Sequence, residues 1–100
     1  MKFNATMTVD PNLASFLEDC CRRVEGDCEG TLFDREVKFS NGNRAAVQVI
    51  ECEGQTAWCQ CVIFDPKGNE ISCSDVSECF LGEFACNDGE DEYFVNVVAN

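Results

Sequence analysis

The chain has 100 residues, of which 45% are hydrophobic, and its 19 acidic and seven basic residues give a formal net charge of −12. This length suits a single domain, residues 1–100, and the apolar content is too high for a disordered acidic chain. So large a negative charge repels nucleic acid and anionic membranes, and it favours basic protein surfaces. Direct nucleic-acid binding is therefore excluded, and no apolar run is long enough for a transmembrane helix.

The acidic residues are concentrated in the second half of the chain. Residues 1–50 carry eight acidic and six basic residues, whereas residues 51–100 carry eleven acidic residues and one base, Lys67. The net charges of the two halves are therefore −2 and −10. This asymmetry predicts that any charge-driven interaction uses the second half.

The first predicted elements are a strand and a helix. Residues 2–9 alternate apolar and polar side chains, which is typical of a half-buried strand. Asp10 offers a side-chain cap and Pro11 suits a first helical position, so a helix over residues 11–25 that ends at Gly26 is expected. Its predicted apolar positions are Leu13, Phe16, Leu17, Cys20, Cys21 and Val24.

Three hairpins are predicted after the helix. Residues 33–39 and 45–49 flank an Asn-Gly-Asn turn signal, and residues 56–65 and 70–73 flank an Asp-Pro-Lys-Gly-Asn turn. Residues 80–86 and 93–99 flank the acidic stretch 87–92. The chain is therefore expected to end inside its sheet.

Together these patterns predict an α+β fold of order β-α-β-β-β-β-β-β. One N-terminal helix would pack on a five- to six-stranded, mainly antiparallel, strongly curved sheet. The strand over residues 57–64 is apolar on both faces, with Cys59, Cys61 and Ile63 on one face and a second set on the other: Trp58, Val62 and Phe64. Since one helix cannot cover two faces, either the sheet curls into a partial barrel or its second face is an interface.

Nine cysteines invite a disulfide or metal interpretation. The N-terminus lacks the basic and then apolar pattern of a signal peptide, so a cytoplasmic protein with free, mostly buried thiols is expected, and a mature secreted fragment is the alternative. Cys20 and Cys21 are adjacent, Cys59 and Cys61 are two apart, and no pair has the two-residue gap of a zinc knuckle. The sequence predicts no cofactor, and a thiolate metal or redox module is the third hypothesis.

No catalytic machinery is recognisable. The chain contains no histidine, which removes the commonest general base and the usual partner of a nucleophilic Ser or Cys. It also lacks a phosphate-binding loop and a nucleophile elbow. Weak calcium binding by residues 88–92 is conceivable, but their spacing is not that of an EF-hand. We therefore expect a protein that is not an enzyme.

The acidic residues of the second half are the candidate partner-binding site. A rigid array of carboxylates can imitate a nucleic-acid backbone and occupy a basic groove of a partner. The alternative is that the negative charge only keeps the protein soluble. In size and composition the chain resembles the small inhibitors that phages and mobile elements use against host defence nucleases, including anti-CRISPR proteins; this resemblance transfers no site residues. The candidates are Glu51, Glu53, Asp75, Glu78, Glu83, Asp88, Glu90, Asp91 and Glu92.

Two other functional hypotheses rank above the thiolate module. The first is a binding protein that docks on a basic protein surface, in particular that of a nucleic-acid-binding protein or a defence nuclease. The second is a structural or assembly subunit that forms homo-oligomers or hetero-oligomers through the second sheet face, with Trp58, Val62 and Phe64 as anchors. Sensitivity to salt favours the first, and self-association favours the second.

Overall fold

The computed structural model describes residues 1–22, 30–51, 57–77 and 79–100; the side chains of residues 20–22, 30 and 51 lie outside this description. One helix and seven strands occur in the predicted order. They are β1 (Lys2–Val9), α1 (Pro11–Arg22), β2 (Gly30–Lys38), β3 (Arg44–Glu51), β4 (Trp58–Phe64), β5 (Glu70–Cys73), β6 (Gly82–Asn87) and β7 (Glu92–Ala99).

Helix α1 begins as the sequence predicts. The Asp10 carboxylate accepts hydrogen bonds from the backbone N–H groups of Asn12 at 2.9 Å and Leu13 at 3.3 Å, which is the capping arrangement. The described helix ends at Arg22, so the predicted end at Gly26, and the apolar position Val24, lie outside the described residues.

The helix buries a narrower face than its apolar pattern suggests. Ala14 and Leu17 are buried, and Leu13 packs against the same core. Phe16 is 55% exposed, so its predicted place on the buried side is wrong. Residues two apart on a helix point about 200° apart, and Phe16 therefore lies almost opposite Ala14.

All three predicted hairpins are confirmed. Strand β2 pairs with β3, β4 with β5, and β6 with β7, each in antiparallel register. Gly42 and Gly89 have positive φ angles of 92° and 97° in the first and third turns, a conformation that glycine adopts without strain. In the second turn the Asp65 carboxylate accepts hydrogen bonds from the N–H groups of Lys67 and Asn69.

The single, strongly curved sheet of the sequence analysis is wrong. The strands form two sheets, of order β2-β3-β4-β5 and β1-β7-β6, and neither is strongly curled. Strands β1 and β7 run parallel, and the other four strand pairings are antiparallel. Strand β7 lies in the middle of its sheet, which confirms that the chain ends inside a sheet.

The second sheet covers one of the two apolar faces of β4. Cys59, Cys61 and Ile63 point into the core, as predicted, and the core also contains Val95 and Val97 of the three-stranded sheet. The inner face of each sheet is thus buried against the other sheet, with α1 adding to the same core. The predicted curling into a partial barrel is therefore not observed, and the second face of β4, with Trp58 and Phe64 partly exposed, is not covered by the second sheet.

Side-chain contacts fasten the hairpin turns of the two sheets to each other. The Tyr93 hydroxyl accepts hydrogen bonds from the amide groups of Asn41 at 3.1 Å and Asn43 at 2.7 Å. The Tyr93 ring also packs on Phe3 and Phe39, with ring centroids 5.4 and 5.0 Å apart. The first hairpin turn is therefore held close to the start of β7.

Candidate functional site

Strands β5 and β6 are the edges of different sheets, and they face each other across a gap that we call the seam. Strand β5 pairs with β4, and β6 pairs with β7. The Ser72 hydroxyl donates a hydrogen bond to the Asn87 carbonyl across the seam at 2.9 Å. Within the described part of the chain, no backbone-to-backbone hydrogen bond joins the two strands.

Ser74 anchors the chain on one side of the seam. Its hydroxyl accepts a hydrogen bond from the Cys61 N–H at 2.9 Å and donates one to the Asp75 carbonyl at 3.0 Å. Its own N–H donates to the Cys61 carbonyl at 2.8 Å. Ser74 is only 6% exposed, so these bonds satisfy polar groups that water does not reach freely.

A short bulge follows Ser74. Ser77 pairs with Cys59 through both of its backbone groups, at 2.7 and 2.8 Å, so the chain returns to β4 at that point. Between the two anchors, Asp75 and Val76 are exposed, Val76 to 56%. The bulge therefore presents a carboxylate and an apolar side chain beside the seam.

At this bulge the seam opens into a cleft of about 470 Å³, lined by residues 74–77 on one side and 83–85 on the other. We call it the acidic cleft, because Asp75 and Glu83 contribute carboxylates from opposite sides. Both residues are exposed. Neither takes part in an ion pair with any other residue that the structure describes. Val76, Phe84 and Ala85 supply apolar lining.

A second group of carboxylates lies in the turn between β6 and β7, residues 88–92, which we call the acidic tip. The Asp88 carboxylate accepts hydrogen bonds from the backbone N–H groups of Asp91 at 2.7 Å and Glu90 at 2.9 Å. These bonds favour the charged form and hold the pKa of Asp88 below its ordinary value. The backbone of the tip is therefore ordered by one of its own acids.

The acidic tip lies beside positive charge that the linear sequence hides. The N-terminal ammonium group of Met1 is 3.4 Å from the Asp91 carboxylate, and the Lys2 ammonium group is 3.9 Å from that of Glu92. Both cations arrive because β1 runs parallel to β7, in register from Lys2 and Glu92. Surface pairs of this kind add little stability, but they reduce the local negative potential.

The structure places six of the nine predicted partner-binding residues in two groups, one near each end of β6. Glu83 and Glu92 lie on the same face of the three-stranded sheet. Every second residue of β6 points to one face, so Glu83 and Asn87 share a face, and Asn87 lies directly opposite Glu92. Glu53, Glu78 and the side chain of Glu51 lie outside the described residues. The two described groups are Asp75 and Glu83 in the acidic cleft, and Asp88, Glu90, Asp91 and Glu92 in the acidic tip.

The predicted second apolar face is the outer face of the four-stranded sheet. Trp58, Val62 and Phe64 lie on it, opposite to the buried cysteines of β4. In the register of β3 and β4, Ile50 pairs with Trp58 and Ala46 pairs with Val62, and the polar pair Gln48–Gln60 lies between these two apolar pairs. Trp58 and Phe64 remain partly exposed.

Cys61, Cys73, Cys79 and Cys86 are free thiols. Cys59, Cys61 and Cys86 are buried, whereas Cys73 and Cys79 are exposed. The Cys86 thiol donates to the Cys61 carbonyl at 3.6 Å, and the interaction with Cys86 together with burial raises the pKa of the Cys61 thiol. Among the described residues, no three His, Cys, Asp or Glu side chains are grouped so that they could hold a metal ion. The predicted buried positions of Cys20 and Cys21 lie outside the described side chains.

The described residues form an α+β fold of two sheets and one helix, with an acidic cleft between the sheet edges β5 and β6. Comparison of the chain with protein-family models, with curated proteins and with solved structures found no match. The helix in the described part of the chain is too short to cross a membrane, and no other helix is present there.

Proposed function

We propose that this protein is a non-enzymatic binding protein that docks on a basic surface of a protein partner through the acidic cleft and the acidic tip. One observation carries the proposal: Asp75 and Glu83 come from different elements to one cleft, and neither is neutralised by a described cation. Unpaired carboxylates held together on an exposed surface attract positive charge more strongly than evenly scattered ones.

A nucleic-acid-binding protein is the proposed kind of partner, and a defence nuclease is the particular case that the resemblance to phage inhibitors favours. Along a strand, residues two apart on one face are roughly 6.6 to 6.8 Å apart, so Glu83 lies about 13 Å from Asn87 and the tip that follows it. A duplex carries one phosphate charge per about 1.7 Å of its axis, and a protein that binds it offers a basic groove. The two groups of carboxylates, held at fixed positions by one strand, would contact such a groove at two places with little ordering cost.

The test begins with capture of the partner from the native host at low salt and measurement of its association rate constant with the purified chain. We expect the double variant Asp75→Lys with Glu83→Lys to associate at least tenfold more slowly, and the wild-type rate to fall steeply between 50 and 500 mM salt.

The matched control is Asp34→Lys with Glu36→Lys on the outer face of β2. It changes the net charge equally but lies on β2, at the opposite edge of the four-stranded sheet from β5 and the acidic cleft. A loss of rate equal in both double variants would show that only total charge matters. A rate that is unaffected by salt would reject the docking proposal.

A second candidate function is assembly through the outer face of the four-stranded sheet. It is favoured by Trp58 and Ile50, which pair at one end of this face, and by Phe64 at the other end, all three partly exposed. Large aromatic side chains of this kind are common anchors of oligomers. Sedimentation equilibrium should then show an oligomer that Trp58→Glu dissociates and that the control Phe16→Glu on the helix leaves intact. A strictly monomeric wild-type protein at high concentration would reject self-assembly.

A further inference from the structure

The hydrogen-bond pattern of the hairpin decides which backbone groups of β6 face the seam. The Asp88 N–H donates to the Asp91 carbonyl at 3.2 Å, so these two residues form a hydrogen-bonded pair at the end of the hairpin. Such pairs alternate with non-bonded ones along an antiparallel ladder. From the bonded pair Asp88–Asp91, the alternation makes Cys86 and Phe84 hydrogen-bonded positions whose backbone groups point toward β7. Ala85 lies between them, so its backbone groups point away from β7.

Two independent contacts confirm this direction. The Asn87 carbonyl accepts its hydrogen bond from Ser72, which lies across the seam and not on β7. On the partner strand, the N–H of Glu92 donates to the Met1 carbonyl at 2.8 Å, away from β6. Asn87 and Glu92 are opposite each other in register, so this pair is a non-bonded one.

The backbone N–H and C=O groups of Glu83 and Ala85 consequently point into the acidic cleft. On the other side of the cleft, Ser74 and Ser77 direct backbone groups to β4, and in the described residues no main-chain group reaches across to β6. A strand edge with unpaired donors and acceptors is a template for another extended chain. Ala85, whose side chain is small and exposed, leaves the approach to this edge open.

We propose that the acidic cleft binds an extended peptide segment that carries a lysine or arginine residue. The peptide main chain pairs with Glu83 and Ala85 of β6, and its cation lies between the carboxylates of Asp75 and Glu83. This assignment rests on the proposed docking function and names the part of the partner that the cleft receives.

Size and charge fit this occupant. The cleft has a volume of about 470 Å³, within the range of roughly 300 to 1,000 Å³ that ligand sites occupy, and residues 83–85 line it over the length of about three extended residues. Addition of a strand to a sheet edge takes its affinity from main-chain hydrogen bonds and its specificity from alternate side chains. Here the two carboxylates would select a basic side chain at one such position.

The direct test uses a fluorescent seven-residue peptide of alternating threonine and valine with a central arginine, and fluorescence anisotropy reports its binding. Ala85→Pro removes the N–H that faces the cleft but none that bonds to β7, and an edge strand tolerates proline. We expect Ala85→Pro to weaken binding at least tenfold and the control Ala85→Thr, which keeps the N–H, to change it less than threefold. Equal affinity for both variants would overturn the proposal.

Modified peptides test the same pairing without altering the protein. Two analogues carry N-methyl groups on either the odd or the even amides of the peptide. Because successive amides of a strand point to opposite sides, we expect one analogue to bind at least tenfold more weakly and the other to bind like the parent. A third peptide with glutamate in place of arginine should also bind at least tenfold more weakly. Similar affinity of all the analogues would contradict strand addition.

Amide hydrogen exchange on the wild-type chain decides the matter if Ala85→Pro does not fold. In the free protein the N–H groups of Glu83 and Ala85 should exchange at least tenfold faster than those of Phe84 and Cys86. Saturation with the arginine peptide should then slow the exchange of Glu83 and Ala85 at least tenfold. An unchanged exchange rate at both residues would overturn the proposal.

This inference and the docking function fail in different ways. If partner association depends on salt and on the charges of Asp75 and Glu83 but is unaffected by Ala85→Pro, docking stands and strand addition is wrong. If partner association does not respond to salt or to these charges, the docking function itself is wrong.

Discussion

Ser74 links the stability of the protein to the shape of the acidic cleft, and Ser74→Ala tests that link. The substitution removes the hydroxyl that accepts from the Cys61 N–H, and it leaves this donor without a partner in the interior. An unsatisfied buried donor costs about 1 to 3 kcal/mol of unfolding free energy. For a domain of this length, a loss of 1 kcal/mol lowers the melting temperature by roughly 4 to 8 °C.

The assay is urea unfolding at neutral pH, with Ser72→Ala as the matched control. The Ser72 hydroxyl bonds to the Asn87 carbonyl at an exposed position, where water can replace it, so we expect a loss below about 0.5 kcal/mol. The Cys61 amide should also exchange faster in Ser74→Ala. If Ser74→Ala and Ser72→Ala lower the free energy of unfolding by the same small amount, the buried hydrogen bond from Cys61 to Ser74 does not stabilise the bulge. That result would refute the proposed role of Ser74 in the wall of the cleft.

Three further predictions concern the rest of the molecule. Because backbone N–H groups stabilise the Asp88 carboxylate, its NMR titration midpoint should fall below the ordinary aspartate pKa. The stability that this carboxylate contributes should be complete above the ordinary pKa and should be lost as the pH falls through the lowered pKa of the folded protein. A midpoint at the ordinary value would show that the turn bonds are absent in solution. Rapid alkylation followed by peptide mapping should label Cys79 at least tenfold faster than Cys86, which is buried; equal rates would contradict the described core. Tyr93→Phe should cost about 1 to 3 kcal/mol in urea unfolding, since it leaves two partly buried amide donors unpaired, and an unchanged midpoint would show that water replaces the hydroxyl.

Local chemistry made the elements predictable. The Asp10 cap, the three turns and the period-two alternation of the strands act within a few residues, so the helix start and every hairpin could be predicted from the sequence. Alternation also places Cys59 and Cys61 on the same face of β4, and the structure shows that this face is the buried one.

The arrangement of those elements was harder to predict, because it depends on contacts between distant residues. Hairpins in series are compatible with one curved sheet or with two sheets, and the parallel pairing of β1 with β7 joins segments about 90 residues apart. That pairing also carries the N-terminal ammonium group and Lys2 to the acidic tip. The tip is therefore less negative than the charge count of residues 51–100 suggests.

The sequence by itself determined the size of the negative charge, its bias toward the second half, and the strands and turns that carry it. Tertiary structure alone decided that Asp75 and Glu83 meet at one cleft, lined by an edge of β6 that pairs with no other strand among the described residues. The physical reason is the distance along the chain over which each interaction acts. Caps, turns and alternation are set by neighbours along the chain, whereas a seam between two sheets exists only after each sheet has buried its apolar face against the other.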